Sequence, residues 1–313
     1  MNMLKIFNSL SNKKEVFYPI DKNNIRVYAC GPTVYNYAHI GNARMAVVFD
    51  TVVKFLRYIY PKITYVSNIT DIDDKIIKKS LEEKVSCKKI SDTYLNIYNY
   101  EMKKINVESP DFQPKATDYV DSMIKKIKTL QDKGYAYFKE GHLLFSVSGF
   151  PKYGALSKRN KEDQMAGSRV EVASYKKNPS DFVLWKPSKK SEPAWDSPWG
   201  LGRPGWHTEC FAMASDILKT PFDIHAGGLD LKFPHHDNEI AQSCCFKNKN
   251  DDIQSYAKYW MHNGFVTLEE KKMSKSLGNI KLLKDYLKNY NGEIIRLALL
   301  GSHYRSPLVW SDS

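Results

Sequence analysis

The sequence contains no apolar run long enough to cross a membrane, although 42% of its 313 residues are hydrophobic. A spanning helix needs about 20 such residues in succession. The N-terminal segment 1–7 also lacks the apolar core of a secretory signal peptide. Internal repeats and low-complexity tracts are missing as well. These absences predict an intracellular, cytoplasmic protein without membrane association.

Cysteine is scarce, with five residues in the chain. The number is odd, and Cys244 and Cys245 are adjacent, so that they cannot readily bridge each other. Such a set does not form the disulfide framework of a small secreted protein. We therefore expect reduced thiols or metal ligands.

The sequence lacks the glycine-rich Walker motif of kinases and ATPases. Acidic residues are fewer than basic residues, 35 against 47. The formal net charge is +12. A basic surface suits a polyanionic partner. Abundant Lys, Asn, Ile and Tyr would give the same charge through compositional bias, so a merely solvated basic surface stays equally open.

A strand, a turn and a helix are predicted within residues 25–59. Residues 25–30 form the strand, Gly31-Pro32 force the turn, and apolar residues then recur at helical spacing. A helix that begins beside a strand end points free backbone N–H groups at the crevice there, which suits a phosphate. His39 and Asn42 flank this helix start as added donors.

A second strand, 63–68, makes the unit a parallel strand–helix–strand arrangement, and the chain is predicted to be an α/β protein. Thr70 at the end of this strand is a candidate ligand contact. The carboxylates within 71–74 are better explained as the cap of the next helix. Asp230 follows another predicted strand, at the edge where open α/β sheets bind ligands.

The sequence pattern changes between residues 119 and 200, where short strands alternate with Gly, Pro and Ser. We expect a mixed α+β connective domain at 119–200, inserted between two halves of the parallel domain at 1–118 and 201–292. A helical region is expected from 293–313.

His235 and Glu239 lie four residues apart on a helix predicted to begin at Pro234, so both face the same side and can share an ion. Taken alone, such a pair is more often a surface hydrogen bond. Cys30 and Cys210 each lie where a turn or helix start follows a strand or glycine loop. Two thiolates, an imidazole and a carboxylate suit zinc. The sequence therefore indicates a zinc site assembled from both halves of the chain.

A basic loop, Lys272-Met-Ser-Lys275, follows the last predicted strand. Alone, it is most often a solvated run of charge. Together with the helix start at residues 39–42, its two lysines could clamp a triphosphate and stabilise the charge that leaves with pyrophosphate.

These segments resemble the class I aminoacyl-tRNA synthetases, and among them the cysteine-specific members. His39-Ile-Gly-Asn42 is similar to the HIGH signature of that family, and 272–276 is similar to its KMSKS signature. More specific to the cysteine enzymes are the segments Cys30-Gly-Pro-Thr33, 68–75, 205–210 and 233–242. The resemblance extends over essentially the whole chain.

The resemblance implies a Rossmann-like parallel sheet split by the connective domain, and a monomer that joins L-cysteine, activated with ATP and Mg²⁺, to tRNA(Cys). It implies one Zn²⁺ ion on Cys30, Cys210, His235 and Glu239. By the same resemblance, the catalytic residues are His39, Asn42, Lys272 and Lys275. The residues that contact ATP are His39, Gly41, Asn42, Gly227, Asp230 and Lys275. The residues that contact the other substrates are Thr70, Trp206 and His207.

The chain departs from the family pattern in two places. Asn42 stands where the signature has its second histidine, and an amide keeps two N–H donors but cannot become charged. The family continues into helical tRNA-binding regions beyond Ser313, which implies a truncated form or an acceptor other than whole tRNA. Two alternatives stay open: a ligase of this fold that joins cysteine to an amino sugar, and a catalytically idle zinc-containing RNA-binding protein.

Overall fold

The computed structural model describes residues 3–159, 173–268, 271–272 and 280–311. Within these ranges the strands are β1 Lys5–Asn8, β2 Lys13–Val16, β3 Ile25–Ala29, β4 Ile63–Ser67, β5 Ala136–Lys139, β6 His142–Phe145, β7 Phe182–Pro187, β8 Gly202–Pro204, β9 Phe222–Gly228, β10 Ala257–Asn263, β11 Val266–Leu268, β12 Lys271–Lys272 and β13 Leu308–Trp310. The α-helices are α1 Ile40–Ile59, α2 Asp74–Glu83, α3 Cys87–Lys104, α4 Val120–Asp132, α5 Trp206–Ile217, α6 Asp237–Phe246, α7 Leu283–Leu287 and α8 Gly292–Leu299.

The chain divides into two compact units, and the division falls inside β9 and close to the middle of β10. The first unit contains Met1–Tyr18, Pro114–His225 and Leu231–Trp260, and the second contains Pro19–Gln113, Ala226–Asp230 and Met261–Ser313. None of the described helices has the length and hydropathy that a membrane-spanning helix needs.

The second unit is built on parallel strands. β3 and β4 pair in parallel, with Ile25 opposite Ile63, and α1 connects them. The strand order of the sheet is β10-β9-β3-β4, so that the two chain-sequential strands lie beside strands from much later in the sequence. This arrangement confirms the prediction of a parallel α/β fold.

Helix α1 is fixed by an apolar face and by one buried cation. Its residues Ala43, Ala46 and Val47 share a core cluster with apolar residues of α7, α8 and β13. Arg44 is fully buried, and its guanidinium donates to the carbonyl oxygens of Gly264 and Phe265 at 3.1 and 2.8 Å. These bonds hold the turn after β10 against the helix that begins at residue 40.

The first unit contains the antiparallel sheet β5-β6-β7-β8 together with α4, α5 and α6. Three of these strands lie where the sequence predicted short strands, and α5 begins at Trp206. The helix predicted to begin at Pro234 follows an extended residue, Phe233 (φ −139°, ψ 133°), but its first turn is not α-helical. A π-helical turn, Lys232–His236, comes first, and α6 begins at Asp237. Such turns are frequent at functional sites.

Candidate functional site

Three of the four predicted metal ligands come together in the first unit. Cys210 lies on α5, His235 lies in the π-helical turn, and Glu239 lies on α6. The cysteine sulfur, one ring nitrogen of the histidine and one carboxylate oxygen lie within 4.8 Å of one another. All three side chains are buried. The helical spacing of His235 and Glu239 therefore produces the predicted shared face.

His235 is in the protonation state that a metal ligand needs. Burial lowers its pKa to about 3, so the ring is neutral at physiological pH. Its Nδ1 atom lies 3.0 Å from Nδ1 of His207, a second, partly buried ring, and desolvation lowers the pKa of that ring to about 3. A hydrogen on the Nδ1 atom of His235 leaves a lone pair on Nε2. Among the described residues this Nε2 atom has no hydrogen-bond partner, although Oε1 of Glu239 is 3.2 Å away.

Glu239 is held by its other oxygen. Oε2 accepts hydrogen bonds from Nε2 of His225 at 2.9 Å and from the hydroxyl of Tyr256 at 2.7 Å. Burial would raise the pKa of this carboxyl, but His225, His235 and the hydrogen bonds outweigh burial, and the pKa is lowered. The carboxylate is therefore ionised, with Oε1 on the side of His235.

This donor set fits a zinc ion. A thiol, a neutral imidazole with an unpartnered nitrogen among the described residues, and an ionised carboxylate are the ligand types that zinc accepts. Cys244 and Cys245 do not belong to this cluster. Burial raises the pKa of their thiols to about 11 and about 12. Both are core residues.

Cys30 follows β3 in the second unit and is buried. Its amide N donates to the carbonyl of Ala226 in β9 at 3.1 Å. The next residue, Gly31, donates its N–H to Oδ1 of Asn68 at 2.9 Å, and a Cβ at Gly31 would lie 1.6 Å from the Asn68 carbonyl oxygen. Only glycine fits there. The turn after Cys30 is therefore pressed against the end of β4.

Thr70 and Asp73 lie on the segment between β4 and α2. The amide N of Thr70 donates to the carbonyl of Pro32 at 3.1 Å, and its own carbonyl accepts from Val34 at 3.2 Å. The threonine is buried. Oδ1 of Asp73 accepts from the amide of Lys75 at 2.8 Å and caps α2, which confirms the capping role predicted for this acidic segment.

The start of α1 is closed by a capping box that the sequence reading missed. Nδ1 of His39 accepts from the amide of Asn42 at 3.1 Å, and Oδ1 of Asn42 accepts from the amide of His39 at 3.2 Å. An Nδ1 atom that accepts places the ring hydrogen on Nε2, which makes Nε2 a donor. The amide group of Asn42 keeps its two N–H donors in the same way. Histidine is an unusual N-cap, so the usual Ser/Thr pattern gave no signal.

The turn before α1 is also tied to the segment that leads into α7. Ile40 donates its backbone N–H to the carbonyl of Lys281 at 3.0 Å, and Leu283 donates to the carbonyl of Ala38 at 2.9 Å. The chain that leaves the basic loop is therefore hydrogen-bonded to the backbone of residues 38–40.

Two lysines of the basic loop, Lys272 and Lys275, are predicted site residues. Lys275 lies outside the described residues, and of Lys272 the structure describes only its backbone, in the short strand β12. β12 pairs with β11 in antiparallel register, with Lys272 opposite Thr267.

Gly227 and Asp230 lie at the carboxyl end of β9. Gly227 is buried in the strand, whereas Asp230 is exposed in a short 3₁₀ turn, Leu229–Leu231. A Cβ at Gly228 would lie 2.5 Å from Oδ1 of Asp230, so a side chain at that position would displace the carboxylate. Asp230 is thus at a strand end, where open α/β sheets bind ligands.

Trp206 and His207 begin α5 in the first unit. The indole of Trp206 stacks on the ring of His235, with centroids 4.3 Å apart, and is 40% exposed. The Nδ1 atom of His207 lies 3.0 Å from the Nδ1 atom of His235. Both predicted substrate residues therefore lie against a predicted metal ligand.

Sequence reasoning missed His225 and Tyr256. Both are fully buried and both donate to Glu239. His225 lies in a strand that is buried along its whole length, so no alternation distinguishes it. Tyr256 lies 17 residues from its partner, and no local pattern connects the two.

The chain matches known synthetases over most of its length. Residues 16–313 match the family model described as the tRNA synthetases class I (C) catalytic domain. The chain is 51% identical over 312 residues to cysteine–tRNA ligase of Phenylobacterium zucineum, covering 99% of this chain and 66% of that protein. It is 52% identical over 307 residues to the enzyme of the same name from Pelagibacter ubique, covering 97% of this chain and 67% of that protein.

Among solved structures, methionyl-tRNA synthetase of Mycobacterium tuberculosis in complex with methionyl-adenylate has a TM-score of 0.69 at 14% identity, covering 93% of this chain and 67% of that chain. At this identity the likeness concerns the fold. The present chain spans about two-thirds of the length of the curated relatives that it matches. The chain belongs to the family of class I (C) tRNA synthetase catalytic domains.

Proposed function

We propose that the chain activates L-cysteine with ATP to form cysteinyl-adenylate and pyrophosphate, and that the cysteine is then transferred to the 3′ end of tRNA(Cys). The observation that supports it most is the buried cluster of Cys210, His235 and Glu239, which suits an ion that selects a thiol. The names of the relatives, cysteine–tRNA ligase, support the same reaction. Because those relatives are longer, the transfer step is proposed for the whole protein.

Cys30, Cys210, His235 and Glu239 are proposed to hold the zinc ion. For Cys30 the support is its resemblance to the family position. When bound, zinc binds the substrate thiolate and not a neutral hydroxyl.

A metal solves a selectivity problem that pocket shape cannot. Serine and cysteine differ by one atom, and a pocket discriminates weakly between near-isosteres. An enzyme that selects cysteine through coordination of its thiolate needs no editing domain to remove serine. Trp206 has an exposed indole stacked on His235, and we propose that it lies against the bound amino acid.

We propose that the nucleotide binds at the start of α1. The Nε2 hydrogen of His39, the amide of Asn42 and the free N–H groups of the helix would donate to phosphate oxygens. Gly41 lets the backbone approach, while Gly227 and Asp230 line the pocket from β9. The methionyl-adenylate bound by the structural neighbour supports an adenylate site in this fold.

Attack of the cysteine carboxylate on the α-phosphate needs little from the protein beyond positioning and charge stabilisation. Thr70 and His207 are proposed to contact cysteine or the tRNA end. Lys272, Lys275 and Mg²⁺ would stabilise the charge on the departing pyrophosphate. The functional division into catalytic halves at 1–118 and 201–292, a connective domain at 119–200 and a stem-contact region from 293 is part of this proposal.

Exchange of radioactive pyrophosphate into ATP tests the activation step directly. We expect exchange that requires cysteine and is not supported by serine. Equal exchange with both amino acids would contradict selection by zinc. Acceptors are then tested separately, with tRNA and with an amino sugar. Transfer to the sugar alone would show that the chain is a ligase of another product.

A further inference from the structure

Tyr256 comes directly before β10 and is fully buried. Its ring packs against Phe222, with centroids 5.2 Å apart and planes 82° apart, and against His225. This packing fixes the direction of the ring. The hydroxyl therefore has a fixed position, at the edge of the cluster formed by Cys210, His235 and Glu239.

That hydroxyl contacts two of the proposed metal ligands at once. It donates to Oε2 of Glu239 at 2.7 Å, and the main-chain carbonyl oxygen of Cys210 lies 3.3 Å from it. Cys210 and Glu239 are on different helices, α5 and α6. One side chain thus links the side chain of one ligand to the backbone of another.

We propose that Tyr256 is a positioning residue of the metal site, whose hydroxyl holds Oε2 of Glu239 so that Oε1 faces Nε2 of His235. This inference rests on the proposed function, because it assumes that Glu239 is a metal ligand. With both donors on Oε2, rotation of the carboxylate would break two buried hydrogen bonds. Oε1 stays on the metal side. His225 contributes the second of these bonds.

The substitution Tyr256→Phe removes the hydroxyl and keeps the packed ring. Groups that hydrogen-bond to metal ligands typically contribute roughly 10- to 100-fold to metal affinity, and we expect a loss of that size for zinc. The matched control is Tyr259→Phe, three residues further along the chain and inside β10. The Tyr259 hydroxyl is bonded to backbone atoms of Tyr18 and Val16, at 2.9 and 3.3 Å, and not to a proposed ligand. Its loss should leave zinc affinity unchanged.

Zinc affinity is measured by competition with a chromophoric chelator, on untagged full-length chain, for the wild type and both variants. A weaker affinity in Tyr256→Phe alone supports the proposal. Equal affinity in wild type and Tyr256→Phe would overturn it while leaving the zinc site intact. Equal weakening in both variants would also overturn it, since the effect would then be general loosening. A wild-type chain that takes up no zinc would overturn the metal site and this role with it.

Discussion

The cluster of Cys210, His235 and Glu239 in the first unit and the turn at residues 38–42 in the second unit are fixed by different kinds of bond. In the cluster, side chains hold side chains: Glu239 is bound by His225 and Tyr256, and His235 faces His207. In the turn, backbone groups bind one another between residues 38–40 and 281–283. The geometry of the first region therefore depends on which side chains are present. The geometry of the second region depends largely on backbone hydrogen bonds.

Asn42, which stands where the family signature has its second histidine, has a structural role at the start of α1. Its Oδ1 atom accepts from the amide of His39 and completes the capping box, while its N–H groups remain donors. The start of a helix needs a side-chain acceptor for a free backbone N–H, and many polar residues, including asparagine, can supply one. The proposed ligand cluster of Cys210, His235 and Glu239 has no such latitude, because zinc would need the thiolate, the imidazole and the carboxylate, each with a different kind of lone pair.

The largest effect is expected where side-chain identity decides. Cys210→Ser and Glu239→Gln each keep the size of the residue and remove a ligand. We expect losses of zinc affinity beyond the roughly 100-fold that an outer hydrogen bond contributes, together with loss of cysteine-dependent exchange. Metal analysis of the purified variants measures the first effect, and pyrophosphate exchange measures the second.

Cys245→Ser is the control for these variants, because Cys245 is buried outside the cluster and its thiol pKa is raised to about 12. It should retain its zinc. If Cys210→Ser and Glu239→Gln both keep the wild-type zinc content, the ligand assignment is incorrect, and the contrast between the two regions disappears.

The same contrast determines how far the sequence could lead. Helical spacing was enough to place His235 and Glu239 on one face, and the glycine loop before Cys210 indicated a helix start there. The bonds that orient these ligands could not be predicted. His225 and Tyr256 meet Glu239 only through tertiary packing, and a strand buried on both faces shows no period that would indicate which residue has a polar partner.

Substitution of Asn42 separates the cap from the donors in the second region. Asn42→Ala removes both, and we expect about 1 kcal/mol lower stability together with weaker activation. Asn42→Asp keeps an acceptor for the amide of His39 but loses the N–H donors. We expect its stability to be retained and its exchange rate to fall by about 100-fold, the usual effect of one lost donor to a developing charge.

Thermal unfolding and pyrophosphate exchange on the two variants check these expectations. Wild-type exchange in Asn42→Asp would show that the amide donors have no part in activation. A loss of stability in Asn42→Asp as large as that in Asn42→Ala would show that the capping box does not need the Oδ1 acceptor.

The smallest effect concerns a side chain that anchors the backbone-held turn. Glu101 of α3 is 3% exposed, and its Oε2 atom accepts from the amide of Ala38 at 3.3 Å. Burial raises the pKa of this carboxyl from 4.5 to about 7, against the opposing effects of that hydrogen bond and of Lys284, while Asp285 adds to the rise. Between about pH 4.5 and pH 7, the Glu101 carboxyl therefore keeps its proton in the folded chain and releases it in the unfolded chain.

The pH dependence of stability then has a definite sign. The contribution of Glu101 is fully present below about pH 4.5 and is lost as pH rises through about 7. Relative to Glu101→Gln, the wild type should lose on the order of 1 kcal/mol over this range, allowing for screening by solvent. Denaturant unfolding between pH 5 and pH 8 measures the difference. Glu82→Gln, at a side chain 61% exposed, should show no such trend. A flat difference for Glu101→Gln would mean that the pKa of Glu101 is the same in the folded and the unfolded chain.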